Sequence, residues 1–168
     1  MALQLLFMAG PNLVSYSGRH DKMPAGRDRD LFIPPPNLLI ADDDAVFRDT
    51  LRDVFEPRGF RTLTASDGDE ALEIVRRQSV HLLLTDLHMP RMDGLEMLHR
   101  VKQLRVPIPC ILLSADVDED IELAARQVDA VSILHKPIRF HEVTRAVGQA
   151  MLQAYGWAEA DCRDNRSP

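Results

Sequence analysis

The chain is short of cysteine, has no excess of basic residues and contains no long hydrophobic run. Each shortage excludes something. Only two cysteines occur, Cys110 and Cys162, far apart in sequence. A disulfide framework or a zinc site needs more thiols at closer spacing, so neither is expected. Cys110 lies inside Ile108-Pro109-Cys110-Ile111-Leu112-Leu113 and reads as a buried packing residue. The six histidines form no H-x-x-x-H pattern and no Cys/His cluster. The net charge is −6. Sequence-independent binding to nucleic acid needs a basic face, so direct nucleic-acid binding is not expected. No run approaches the roughly 20 apolar residues of a membrane-spanning helix. A cytoplasmic protein without a membrane anchor is expected.

What is present fits a soluble globular protein. The chain has 168 residues, of which 45% are hydrophobic and 27% charged, enough for one domain with tails. Residues 1–36 read as a disordered or extended lead-in. Their apolar start, Met1 to Ala9, is short and follows no positive residue, unlike a secretory signal. Met23 offers an alternative start. Gly, Pro, Ser and mixed charges then lead to Ile33-Pro34-Pro35-Pro36.

From Asn37 short apolar runs alternate with helical patterns. Leu38-Leu39-Ile40-Ala41 is a buried strand that ends in Asp42-Asp43-Asp44. A helix follows with Phe47, Leu51, Val54 and Phe55 on one face, Asp44 as its N-cap and Pro57 and Gly59 as its stop. Phe60 to Thr64 is the second strand, and Ser66-Asp67-Gly68 turns the chain. Glu70 to Gln78 is a helix with Ala71, Leu72 and Val75 inward. His81 to Thr85 is the third strand, followed by Asp86 and a Pro-containing loop ending in Gly94. Leu95, Leu98 and Val101 line the third helix. Pro107 to Leu113 is a strand ending in Ser114, and Val117 to Gln127 is a helix with an acidic start. Ala130 to Leu134 is the fifth strand, ending at His135-Lys136-Pro137. The last helix runs roughly from His141 to Ala154 and buries Val143, Val147, Ala150 and Met151.

Strands and helices in alternation with short links give an α/β fold, a parallel five-stranded sheet with helices on both faces. All the strand ends then share one edge, where ligands of open α/β sheets bind. That edge collects Asp42 and Asp43, Asp86, Ser114 and Lys136. Converging carboxylates repel and stay ionised together only beside a cation. Oxygen-only ligands suit Mg²⁺. A divalent ion, a lysine and a hydroxyl together clamp a transferring phosphoryl group. Asp86 is placed to be the nucleophile, Lys136 to pair with a phosphoryl oxygen, and Ser114 to donate a hydrogen bond to another.

The set Leu39-Ile40-Ala41-Asp42-Asp43-Asp44, Leu84-Thr85-Asp86-Leu87-His88-Met89-Pro90-Arg91-Met92-Asp93-Gly94, Ile111-Leu112-Leu113-Ser114-Ala115 and His135-Lys136-Pro137 resembles the receiver domain of two-component response regulators. The match covers about residues 37–155. It implies a flavodoxin-like, doubly wound sheet of strand order 2-1-3-4-5. It implies phosphotransfer to Asp86 from a histidine kinase or a histidine phosphotransfer protein. It further implies Mg²⁺ held by Asp42, Asp43, Asp86 and the His88 backbone carbonyl. Lys136 and Ser114 would then report phosphorylation to the fourth helix, fifth strand and last helix. One departure is Ile133, where the family usually has an aromatic residue. His88 and Asp116 stand where the family tunes hydrolysis of the phosphoryl group.

Two other classes compete. Asp42-Asp43-Asp44-Ala45-Val46 also resembles the nucleophile motif of haloacid-dehalogenase-type phosphatases, with Asp42 as nucleophile and Asp44 as acid/base. That family needs an acidic pair after a strand beyond the lysine, which is missing, and it leaves Asp86 to Pro90 unexplained. A receiver-shaped interaction module that is never phosphorylated is the other alternative. Residues 156–168 form a short tail, and Trp157 is expected to fold back on the last helix. With no room for a second domain and no DNA-reading element, a stand-alone receiver is expected. Its output would be contact with an unknown downstream protein or relay of the phosphoryl group, with no separate enzymatic domain.

Overall fold

Strand residues alternate between faces, so a strand buried on both sides needs apolar residues at every position. The computed structural model of the chain describes residues 35–157 and shows this in three strands. β1 (Asn37–Ala41), β3 (Leu82–Asp86) and β4 (Cys110–Ser114) form the middle of the sheet. β2 (Arg61–Ala65) and β5 (Ser132–His135) are its edges. The order is β2-β1-β3-β4-β5, and every pairing is parallel. The α/β fold and the strand order expected from the resemblance are therefore both observed.

The helices are α1 (Ala45–Phe55), α2 (Gly68–Arg77), α3 (Gly94–Gln103), α4 (Glu119–Gln127) and α5 (Phe140–Tyr155). Leu38, Ile40, Leu82, Leu84, Ile111 and Leu113 face α1 and α5, meeting Leu51, Phe55, Val143 and Val147. Leu39, Ala41, Leu83 and Leu112 face the other way, toward Leu72, Met97, Leu98 and Ala125. Each fully buried Leu or Ile contributes about 1.5–3 kcal/mol relative to exposure. None of the described helices is long and apolar enough to cross a membrane.

Four of the described helices start on aspartate. The side chains of Asp44, Asp67, Asp93 and Asp118 accept backbone N–H groups of α1, α2, α3 and α4. Each such cap contributes about 1 kcal/mol. This shifts two expected boundaries. Asp67 is a cap rather than a turn residue, so α2 begins at Gly68 and not at Glu70. Asp118 caps α4, which therefore starts at Glu119 and not at Val117. The fifth strand begins at Ser132, not Ala130, because residues 128–130 close α4. Asp129 takes a left-handed φ of 57° and the Ala130 N–H donates to the Ala125 carbonyl. Helix α1 ends at Phe55, followed by a 3-10 turn, Glu56–Arg58, and Gly59 at φ 89°. Only glycine takes that conformation without cost.

The amino-terminal edge of the sheet is closed by rings. Trp157 stacks on Tyr155 of α5 with centroids 5.0 Å apart, and lies 5.6 Å from His81, so it does fold back on the last helix. The Tyr155 hydroxyl donates to the His81 carbonyl at 2.9 Å. His81 Nδ1 accepts the Asn37 N–H at 3.0 Å, which requires that nitrogen to be unprotonated. The readings made for residues 1–34, including the alternative start at Met23, lie outside the described residues, as do those for 158–168 with Cys162.

Burial of His81 holds its pKa below the ordinary histidine value of 6.5. The folded protein keeps it neutral while the unfolded chain protonates, so its contribution is present above pH 6.5 and is lost as pH falls through the folded pKa. Urea midpoints measured from pH 7 to 5 are expected to fall less in His81→Asn than in the unaltered protein.

Candidate functional site

The register places the acidic residues. Ala41 on β1 pairs with Thr85 on β3, so Asp42 and Asp86, one residue further in each strand, come side by side. Asp86 also pairs with Leu113 on β4, and Ser114 pairs with His135 on β5. Lys136 follows immediately, and its N–H donates to the Ser114 carbonyl at 2.7 Å. The edge expected to gather these residues does gather them.

Asp42 is fully buried and Asp86 nearly so, at 5% exposure. Buried carboxylates need a partner for each oxygen. Asp42 Oδ1 accepts the Asp44 N–H at 2.9 Å, and its Oδ2 accepts from Lys136 Nζ at 2.7 Å. Asp86 Oδ1 lies 2.6 Å from the same Nζ, and its Oδ2 accepts the His88 N–H at 3.1 Å. One ammonium thus bridges two carboxylates on neighbouring strands. Burial pushes the Asp42 carboxyl above its usual range, opposed by the hydrogen bond from Lys136. Burial works against the Lys136 charge, but the bonds to Asp42 and Asp86 outweigh it and hold its pKa above the ordinary value. Lys136 is therefore an ammonium at neutral pH.

The remaining expected residues are placed as follows. Asp43 is exposed at the rim. Ser114 is buried, but its hydroxyl donates to the Asp116 carbonyl and accepts the Asp116 N–H at 3.2 Å. His88 is exposed, with its backbone turned toward Asp86. His135 and His141 are exposed. Ile133 is half-buried and packs on the core face that holds Leu112 and Ala125.

Among the described residues no three His, Cys, Asp or Glu side chains surround a common point for a metal ion. The reason is visible: the Lys136 ammonium lies between Asp42 and Asp86 and Asp43 is outside. The charge is nevertheless unbalanced, with three carboxylates to one ammonium. The side-chain donors, on Asp42, Asp43 and Asp86, are all oxygens. That is the chemistry of a hard divalent cation, so the residues fit Mg²⁺.

Some residues that shape the site were not singled out as functional. Gly94 is one: a Cβ there would lie 2.2 Å from the Asp86 carbonyl oxygen. The loop from Leu87 to Asp93 thus returns against the end of β3 only because residue 94 has no side chain. Arg91, at a left-handed φ of 65°, ion-pairs with buried Asp67, and the Gly68 N–H donates to the Met92 carbonyl at 3.3 Å. The β2–α2 and β3–α3 loops are locked together there. Phe47 is another: Lys136 Nζ lies 4.8 Å from its ring centroid. Its place one turn after the acidic run was the available signal.

Comparison with known proteins agrees with the fold. The response regulator receiver domain family matches residues 38–148. Sporulation initiation phosphotransferase F of Bacillus subtilis is 34% identical over 110 residues, covering 66% of this chain and 89% of that protein. Transcriptional regulatory protein FixJ of Bradyrhizobium diazoefficiens is 28% identical over 125 residues, covering 74% of this chain. The chain spans 61% of the length of that regulator. The crystal structure of a CheX–CheY–BeF₃–Mg complex from Borrelia burgdorferi superposes with a TM-score of 0.66 at 27% identity, covering 70% of this chain and 90% of that one.

The charge imbalance predicts opposite effects of two substitutions in metal-free buffer. Asp86→Asn leaves a balanced Asp42–Lys136 pair and is expected to raise Tm by about 2–5 °C, the equivalent of about 1 kcal/mol. Lys136→Met strands two buried carboxylates and is expected to lower Tm. Thermal unfolding followed by circular dichroism checks both.

Proposed function

The chain belongs to the response regulator receiver domain family, and from that premise we propose that Asp86 is its phosphoacceptor. The donor is a phosphohistidine on a histidine kinase or a histidine phosphotransfer protein. The output is contact with a downstream protein or relay of the phosphoryl group onward. The observation that carries this reading is the Asp86 carboxylate at the end of a central strand, held between the Lys136 ammonium and the His88 N–H with Asp42 beside it.

In this reading one Asp86 oxygen attacks phosphorus. A P–O bond forms as the P–N bond of phosphohistidine breaks, and the electron pair returns to the donor imidazole. Asp42, Asp43, Asp86 and the His88 carbonyl would hold Mg²⁺. When bound, that ion offsets the charge between the carboxylates and the incoming phosphoryl oxygens. The Lys136 ammonium moves from the carboxylate to a phosphoryl oxygen. The Ser114 hydroxyl turns from the Asp116 carbonyl to a second oxygen. That rotation releases a bond next to Asp118, the cap of α4, and so carries the change toward the surface of α4, β5 and α5. At position 133 the family's aromatic rotation has no counterpart, since isoleucine packs into the core there.

The same geometry disfavours the phosphatase alternative. Asp44, the acid/base of that reading, spends one carboxylate oxygen on the Val46 and Phe47 N–H groups as the cap of α1. That reading also leaves Asp86, with its Lys136 and His88 contacts, without a role.

Incubation with a small-molecule phosphodonor and Mg²⁺ tests the proposal. The unaltered protein is expected to gain the mass of one phosphoryl group, mapped to Asp86 in peptides. Asp86→Asn and a chelator are each expected to abolish it. A label that persists in Asp86→Asn, or that maps to Asp42, overturns the assignment.

A further inference from the structure

We propose that Phe47 is a positioning residue for this site, and that it acts through Lys136. The inference rests on the phosphoacceptor reading above. An ammonium has three N–H donors. Two of the Lys136 donors are taken by Asp42 Oδ2 and Asp86 Oδ1, at 2.7 and 2.6 Å. The Phe47 ring lies against the same nitrogen, 4.8 Å from centroid to Nζ. The face of an aromatic ring carries negative charge density, and a cation within about 6 Å of its centroid is attracted to it. Lys136 is half-buried, so water screens this contact only in part.

The placement of the ring is itself controlled. The Asp44 carboxylate accepts the Phe47 N–H at 3.2 Å and fixes the first turn of α1. The Arg48 guanidinium donates to the Asp42 carbonyl and draws the next residue back to the end of β1. The acidic run therefore does two jobs: Asp42 binds the ammonium, and Asp44 sets the register that brings a ring to it. Phe47, partly buried, also packs against the core cluster that includes Leu38, Ile40 and Leu51.

A carboxylate offers an ammonium a point, whereas a ring offers it a surface. The ammonium is to leave Asp86 Oδ1 for a phosphoryl oxygen during transfer. Over the Phe47 ring it makes that move without losing its third contact. This contact stands on α1, on the opposite side of the sheet from Ile133, so it is independent of the family's aromatic position.

Three forms of the full chain test this: the unaltered protein, Phe47→Leu and Phe47→Tyr. Two measurements are made on each. The first is the Lys136 ε-methylene proton shift by NMR without phosphodonor, which reads the ring current directly. The second is the rate of phosphorylation by a small-molecule donor with Mg²⁺. Phe47→Leu is expected to move the Lys136 resonances downfield and to slow phosphorylation by about two- to fivefold, the range of a partly exposed cation–ring contact. Phe47→Tyr keeps a ring and is expected to restore both. If Phe47→Leu leaves either the shift or the rate unchanged, or if Phe47→Tyr slows the reaction as much as Phe47→Leu, Phe47 is only a packing residue and the proposal fails. The shift shows that the ring stands over the ammonium, and the rate, with its recovery in Phe47→Tyr, separates positioning from packing. If the unaltered protein takes no label, the phosphoacceptor reading falls first, and the positioning role falls with it.

Discussion

Two carboxylates buried side by side with one ammonium between them are the constraint on which this structure turns. Asp42 and Asp86 sit at the same level on neighbouring strands, nearly out of water, and Lys136 bridges them from β5's end. Such a pair is costly to bury unless every oxygen is met. The local structure reflects that demand. The N–H groups of Asp44 and His88 take the two outer oxygens, Gly94 lets the β3–α3 loop close on Asp86, and Arg91 ties that loop to buried Asp67. The surplus of negative charge that remains is the opening for a divalent cation and a phosphoryl group.

The sheet separates chemistry from mechanical closure. Its carboxyl-terminal edge carries the charged residues and the four aspartate caps. Its amino-terminal edge is closed by His81, Tyr155 and Trp157 and contains none of the proposed site residues. Change at the site has a short route outward on the first edge, from Ser114 through Asp116 to the start of α4.

Much of this was legible in the sequence because parallel strands carry strong signals. Leu38 to Ala41, Leu82 to Leu84 and Ile111 to Leu113 are apolar at every position, as burial on both faces requires, and each run stops at a polar residue. Strand ends in such a fold share an edge, so Asp42, Asp86, Ser114 and Lys136 could be grouped without coordinates. What was not legible depends on side-chain direction. Asp67 looked like a turn residue, because a cap and a turn use the same residue types. Asp43 looked equal to Asp42, yet successive side chains past a strand end point apart, and one is buried while the other is exposed. Ser114 is turned to Asp116 rather than toward Asp86. Phe47 satisfied the apolar face of α1, so its contact with a lysine 89 residues away (136 − 47) left no trace in periodicity.

Beryllofluoride, a phosphoryl mimic, tests most directly whether these residues form one phosphoryl-accepting site. Backbone amide shifts of the full chain are compared by NMR with Mg²⁺ alone and with Mg²⁺ plus beryllofluoride. Large changes are expected at residues 42–44, 86–88, 114–116 and 136, spreading to the start of α4, with little change around His81 and Trp157. No change at Asp86 and His88, or changes centred on the His81 edge, would contradict it.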